Sequence, residues 1–100
     1  MTIHHTREYE YVIQDMAAAL SAIKGIHTFI GLEYGDYVTL NRLKRIELLK
    51  KTAGEILLDL QYNNVLYAGR RGRITYLKDR GKIRIDTGEG CTFLINLIEH

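Results

Sequence analysis

Residues 65–98 read VLYAGRRGRITYLKDRGKIRIDTGEGCTFLINLI, and this stretch decides the fold class. Val65 to Ala68 is followed by Gly-Arg-Arg-Gly, Arg73 to Lys78 by Asp-Arg-Gly, Lys82 to Thr87 by Gly-Glu-Gly, and Cys91 to Ile98 closes the run. Connections this short have hairpin lengths, and they place Gly72, Gly81 and Gly90 at turn positions open to a positive φ. In the third run Ile83 and Ile85 point one way while Lys82, Arg84 and Asp86 point the other, because side chains alternate across a strand. In the last run Cys91, Phe93, Ile95 and Leu97 make one apolar face, with Leu94 and Ile98 opposite. That pattern predicts an interior strand covered by helices on at least one side, with Cys91 as a small core residue.

Upstream of the meander the period changes. From Thr39 onward Leu40, Leu43, Ile46, Leu49, Ala53, Ile56, Leu57 and Leu60 fall on one helical stripe, which Asn63 and Asn64 end. Gly54 disfavours a helix interior by about 1 kcal/mol, and Thr52-Ala53-Gly54-Glu55 has the spacing of a capping box. Two readings follow: one long helix from about residue 39 to 62, or two helices meeting near Lys51. The apolar stripe keeps its phase across the suspected break, which favours one helix. Nearer the start, Glu8 and Glu10 alternate with Tyr9, Tyr11 and Ile13, which predicts a strand to about Ile13, although Tyr9, Val12, Ile13 and Met16 also fit a helix. Asp15 as N-cap, Met16, Ala19, Leu20 and Ile23 as an apolar stripe, and Gly25 as C-cap predict a short helix over about residues 16–24. Ile26, Thr28, Ile30 and Leu32 alternate and suggest a second strand.

The expected fold is therefore α+β, with one short and one long helix packed on an antiparallel C-terminal strand meander, as a single domain over residues 1–100. No linker, repeat or low-complexity tract divides the chain. A chain of 100 residues with 46% hydrophobic residues buries about 65% of its unfolded surface and builds a core without disulfides or metal. The lone Cys91 forms no internal disulfide, in keeping with a reducing, cytoplasmic setting. Met16 to Leu20, the longest apolar run, is too short to cross a bilayer, and Met1 to Thr6 lacks the plan of a signal peptide.

Net charge at pH 7 is +2, but the charges are segregated. Residues 1–41 sum to −3, residues 42–62 to +2, and the tail from Asp86 onward to −3. Residues 70–84 sum to +6: Arg70, Arg71, Arg73, Lys78, Arg80, Lys82 and Arg84 stand against Asp79 alone. Half of the basic residues lie in that segment. Arg and Lys on adjacent hairpins concentrate positive potential where phosphates are held, and the guanidinium group offers bidentate geometry for them. Basic residues also protect strand edges from pairing, which is their commoner use.

No constellation specifies a reaction. Cys91 has no base beside it in sequence, and no carboxylate pair is set up for acid/base work. His4, His5, His27 and His100 are too scattered for a built metal site, and metal binding at His4 and His5 would be adventitious. Gly69-Arg-Arg-Gly72 is shorter than a phosphate-binding P-loop and lacks its Gly-Lys-Ser/Thr ending. No catalytic residue, metal or cofactor is assigned. Seven tyrosines supply most of the aromatic content, chiefly as core-edge residues. Tyr67 and Tyr76 flank the Gly-Arg-Arg-Gly-Arg turn and are the pair placed to stack on a base.

Two likenesses bear on these residues. Thr39 to Leu49, Thr52 to Tyr62 and the Arg70–Arg73 turn together resemble a winged helix-turn-helix, with the turn as wing tip. The likeness departs where a recognition helix reads bases, since Ala53, Gly54, Glu55 and Asp59 occupy those places. Tyr9, Ala17, Leu20 and Ile23 are spaced in a way that resembles the opening of RelE/ParE-type toxins. That likeness implies a nuclease toxin of strand, helix, helix and antiparallel sheet. No site motif of that group can be matched residue by residue, and Ile26 to Leu32 departs from its plan.

The sequence thus predicts a small non-enzymatic binding protein with a regulatory or accessory role. Its basic hairpins (Arg70, Arg71, Arg73, Lys78, Arg80, Lys82, Arg84, with Tyr67 and Tyr76) contact a DNA or RNA backbone, with little base specificity. The alternative is an inhibitor or assembly module that docks a protein partner through its charged faces. No membrane contact is expected, and the sheet edge and long helix leave homodimerisation open.

Overall fold

The computed structural model describes residues 6–98. Four helices precede a four-stranded antiparallel sheet: α1 Tyr9–Leu20, α2 Ile26–Ile30, α3 Tyr34–Thr39, α4 Arg42–Asp59, β1 Val65–Ala68, β2 Gly72–Leu77, β3 Lys82–Asp86 and β4 Thr92–Asn96. A single 3-10 turn, Lys78–Arg80, joins β2 to β3. The strands lie in sequence order, β1-β2-β3-β4. The α+β class and the meander are as the sequence predicts; the N-terminal third is not.

Tyr9 to Ile13 is helix rather than strand. Val12 and Ile13 are both buried, as are Met16, Ala17, Ala19 and Leu20. Adjacent buried residues fit a broad helical stripe and cannot share the inward face of a half-buried strand. Tyr9 and Tyr11, the residues that created the alternation, are half exposed. Asp15 caps nothing; it lies on the outside of α1 and pairs with Arg7 at 2.7 Å. Helix α1 ends at Leu20, and Gly25 (φ 80°) begins α2 instead of ending α1. Ile26 to Ile30 is likewise one short helix rather than a strand. Left-handed glycines bound it at both ends, Gly25 and Gly31, which leaves five residues for little more than one turn.

Helix α4 runs unbroken through Gly54. Asn41 caps it, its side-chain oxygen accepting from the Lys44 N–H at 2.9 Å, a contact that typically contributes about 1 kcal/mol. Thr52, the supposed cap of a second helix, is buried in mid-helix, so the helix-turn-helix likeness fails. The toxin-like opening is not reproduced among the described residues either, where Tyr9 begins α1 and no strand precedes it. Gly54 has a packing role. A Cβ there would stand 3.0 Å from the Tyr9 hydroxyl oxygen of α1, so the missing side chain lets the two helices approach.

The core lies between the helices and one face of the sheet. Val12, Met16 and Leu20 of α1, Ile56 of α4, Leu60 just after it, and Ile74, Ile83 and Ile85 of the sheet are almost completely buried. Each such side chain contributes roughly 1.5–3 kcal/mol through burial. Among the described residues β4 is the last strand of the sheet and pairs with β3 alone, rather than lying between two strands as an interior one. Ile95 and Leu97 still reach the core, but Phe93 is partly exposed. Cys91 is exposed: it sits in the turn before β4, where its carbonyl accepts from the Thr87 N–H (3.0 Å) and hydroxyl (3.1 Å). Among the described residues no helix is long and apolar enough to cross a membrane. His4, His5 and His100 lie outside the described residues.

Candidate nucleic-acid interface

Strand register sorts the basic segment onto faces and ends. Ala68 faces Gly72 and Leu66 faces Ile74; Ile74 faces Ile85, and Ile83 faces both Tyr76 and Ile95, all on the side covered by helices. The intervening pairs turn outward: Tyr67 with Arg73, Thr75 with Arg84, Leu77 with Lys82, Arg84 with Leu94, and Asp86 with both Arg73 and Thr92. Among the described residues no helix covers this outward face, and Arg73, Lys82 and Arg84 stand on it beside Tyr67.

Tyr67 and Tyr76 do not form a pair. Their strands put them on opposite faces; Tyr67 is 74% exposed, while Tyr76 is half-buried against the core. Two residues at the ends of a hairpin share a face only when their register positions have the same parity, and these two do not. Tyr76 is accordingly removed from the interface. The tyrosines as a group are more exposed than the sequence suggests: only Tyr37 is buried, and Tyr34, Tyr62 and Tyr67 lie mostly in solvent.

The seven basic residues do not form one patch. Arg70 and Arg71 lie in the β1–β2 loop at one end of the sheet, and Lys78 and Arg80 in the 3-10 turn at the other. At about 3.3 Å of rise per residue, Arg73 and Lys78 are roughly 17 Å apart along β2. Arg84 and Lys82 bridge the two ends across the open face.

At the first end two loops pack together. The Arg70 N–H donates to the Lys24 carbonyl at 3.0 Å, and Lys24 pairs with Glu89 of the β3–β4 loop at 3.2 Å. Gly88 (φ 85°) allows this contact, since a Cβ there would overlap the Cβ and carbonyl of Arg71. Lys24, Arg70, Arg71, Thr87 and Glu89 line a small cleft of about 270 Å³. Lys24 therefore belongs to this basic end, although it stands 46 positions before Arg70 in the chain.

Asp86 organises the open face. Its Oδ1 accepts from the Thr92 hydroxyl at 2.8 Å and from Arg84 Nε at 3.3 Å. Its Oδ2 is shielded from solvent and is met at ion-pair range by Arg84 Nε (3.2 Å) and Arg73 Nη2 (3.5 Å). The Thr92 hydrogen bond, aided by the charges of Arg84 and Arg73 and opposed by burial, holds the Asp86 carboxyl below its ordinary value of 3.8. Arg73 and Arg84 stay about half exposed. They are thus fixed in place yet open to an anion. By contrast Arg70, Arg71, Lys78, Arg80 and Lys82 make no ion pair among the described residues.

Sequence reasoning missed Asp86 and Thr92 as parts of this arrangement. The signal was available for Asp86, which lies two positions from Arg84 and hence on the same face of β3. Thr92 required the β3–β4 register. Comparison with protein-family models, curated proteins and solved structures found no match to this chain. The functional reading rests on the chain's own residues.

Proposed function

We propose that this protein is a non-enzymatic nucleic-acid-binding protein with a regulatory or accessory role in the cytoplasm. Its open sheet face holds single-stranded RNA or DNA by the phosphates. The observation that carries this reading is the outward cross-strand pair Tyr67–Arg73, with Arg70 and Arg71 at one end of the sheet and Lys78 and Arg80 at the other making no ion pair among the described residues. An exposed aromatic ring beside a guanidinium group offers a base a stacking surface and its phosphate a charge-assisted donor. The outward face of the described sheet presents strands and turns rather than a projecting helix, so sequence preference is weak. A single strand fits better than a duplex because a sheet face receives splayed bases, whereas groove reading calls for a projecting helix or ribbon.

Titration of labelled single-stranded RNA, single-stranded DNA and duplex DNA at low salt tests this. Single strands bind more tightly than duplex, Arg70→Ala/Arg71→Ala/Arg73→Ala abolishes most of the affinity, and Tyr67→Ala costs about 1–3 kcal/mol of binding. Absence of binding at low salt would sink the reading. It would favour a protein partner, for which Leu94 and Val65, exposed on the same face, supply apolar contacts.

A further inference from the structure

Helices α1 and α4 meet closely at Tyr9 and Gly54 but leave a groove of about 660 Å³ farther along, bounded by Tyr37 of α3. The space exists because α1 presents the small side chains Ala17 and Ala18 there, opposite Ile46 and Leu49 of α4. Its volume lies within the range of small-molecule sites. No lining residue comes from the sheet, and none is acidic.

The polar groups of this groove are cationic and incompletely matched. Arg45 donates from Nη2 to the Leu40 carbonyl at 3.2 Å, and its guanidinium carbon stands 5.7 Å from the centroid of the Tyr37 ring. Its Nε is shielded from solvent and has no hydrogen-bond partner. A shielded donor left unpaired leaves the guanidinium charge undercompensated, and an anion against the accessible part of the group offsets that charge. Arg42, on the same rim, makes no ion pair among the described residues. Lys50 already pairs with Glu10 at 3.2 Å. Burial pushes the Tyr37 hydroxyl above its ordinary value, with Arg45 opposing the shift, so the ring brings no negative charge at neutral pH.

We propose that this groove binds a small amphipathic carboxylate, with its apolar body on Ala17, Ala18, Ile46 and Leu49 and its carboxylate held by Arg45 and Arg42. An apolar floor alone would accept any hydrophobe. Two guanidinium groups without a carboxylate partner among the described residues, and the lack of any lining carboxylate, select an anion. The site is separate from the sheet face and stands whether or not that face binds nucleic acid.

The test is titration of the full chain with decanoate and, in parallel, decanol, followed by calorimetry and by amide chemical shifts. Decanoate binds saturably at one site, with shifts centred on Ala17, Ala18 and Ile46, and decanol binds at least about tenfold more weakly. Arg45→Gln weakens decanoate about tenfold or more and leaves decanol unchanged. Should that variant lose its fold by circular dichroism, Arg42→Gln makes the same comparison. Ala18→Phe, at an exposed position on α1, fills the groove and removes binding of both compounds. Non-saturable binding, equal affinity for decanol, indifference to the arginine substitutions, or shifts centred on the sheet would each overturn the proposal.

Discussion

At Asp86 one carboxylate serves two arginines and a threonine hydroxyl, so its removal separates stability from binding. Asp86→Asn keeps an oxygen for Thr92 but loses the charge that Arg84 and Arg73 face. We expect a loss of about 1 kcal/mol in urea unfolding at pH 7, together with tighter binding of single-stranded nucleic acid, because one negative charge leaves the face. The pH dependence has a definite sign. The folded carboxyl titrates below the ordinary 3.8 of the unfolded chain, so its contribution is complete above that value and fades as pH falls through the folded one. The urea midpoint of the natural chain should therefore fall more steeply than that of Asp86→Asn below about pH 4. Parallel curves would show that Asp86 contributes nothing through its charge. Of this cluster, the sequence made Arg84 and Asp86 legible as neighbours on one strand face, since alternation alone fixes that. Thr92 and Arg73 join them only through pairing with strands on either side, which a period-2 pattern does not specify.

At the scale of elements, α4 shows how a glycine that reads as a break serves as a contact. The apolar stripe from Leu49 to Leu60 carries the helix through Gly54 because burial of Leu49, Ala53, Ile56 and Leu57 outweighs the roughly 1 kcal/mol propensity penalty. Gly54→Ala should recover part of that penalty but crowd the Tyr9 hydroxyl. Its effect is accordingly small in the natural chain and stabilising by up to about 1 kcal/mol in a Tyr9→Phe background, measured as a double-mutant cycle by urea denaturation. Equal effects in both backgrounds would mean that the Tyr9 contact imposes no constraint. The N-terminal elements were less legible for a related reason. Tyr9, Tyr11 and Ile13 alternate in sequence, yet only Ile13 is buried, and the true stripe includes the neighbours Val12 and Ile13. Segment Ile26 to Ile30 is too short for either period to be decisive, and its left-handed glycine ends make it helical.

Over the whole molecule, the +6 segment becomes two basic ends joined across one sheet face instead of a continuous patch. The sequence showed how many cations the segment holds; the meander decided that Arg70 and Arg71 lie at the end opposite Lys78 and Arg80. Affinity should thus rise with oligonucleotide length until a strand spans both ends, roughly 17 Å along β2. For such strands the seven basic residues of the segment, Arg73 and Arg84 included, set a limit of about −5 on the slope of log affinity against log salt concentration. Shorter strands should show about half that slope. A slope independent of length would mean that only one end binds.

The sequence by itself determined the α+β class, the four strands and their order of connection, the continuous apolar stripe of α4, and the concentration of positive charge. Each is written in local periodicity, glycine placement or counting, which need no knowledge of distant residues. Tertiary structure alone decided that α1 is a helix from Tyr9 onward, that Cys91 is exposed in the turn before β4, that Tyr67 and Tyr76 lie on opposite faces, and that Lys24 joins the basic loops. These depend on which surfaces meet, since burial against a partner chooses between local periods that the sequence leaves nearly balanced.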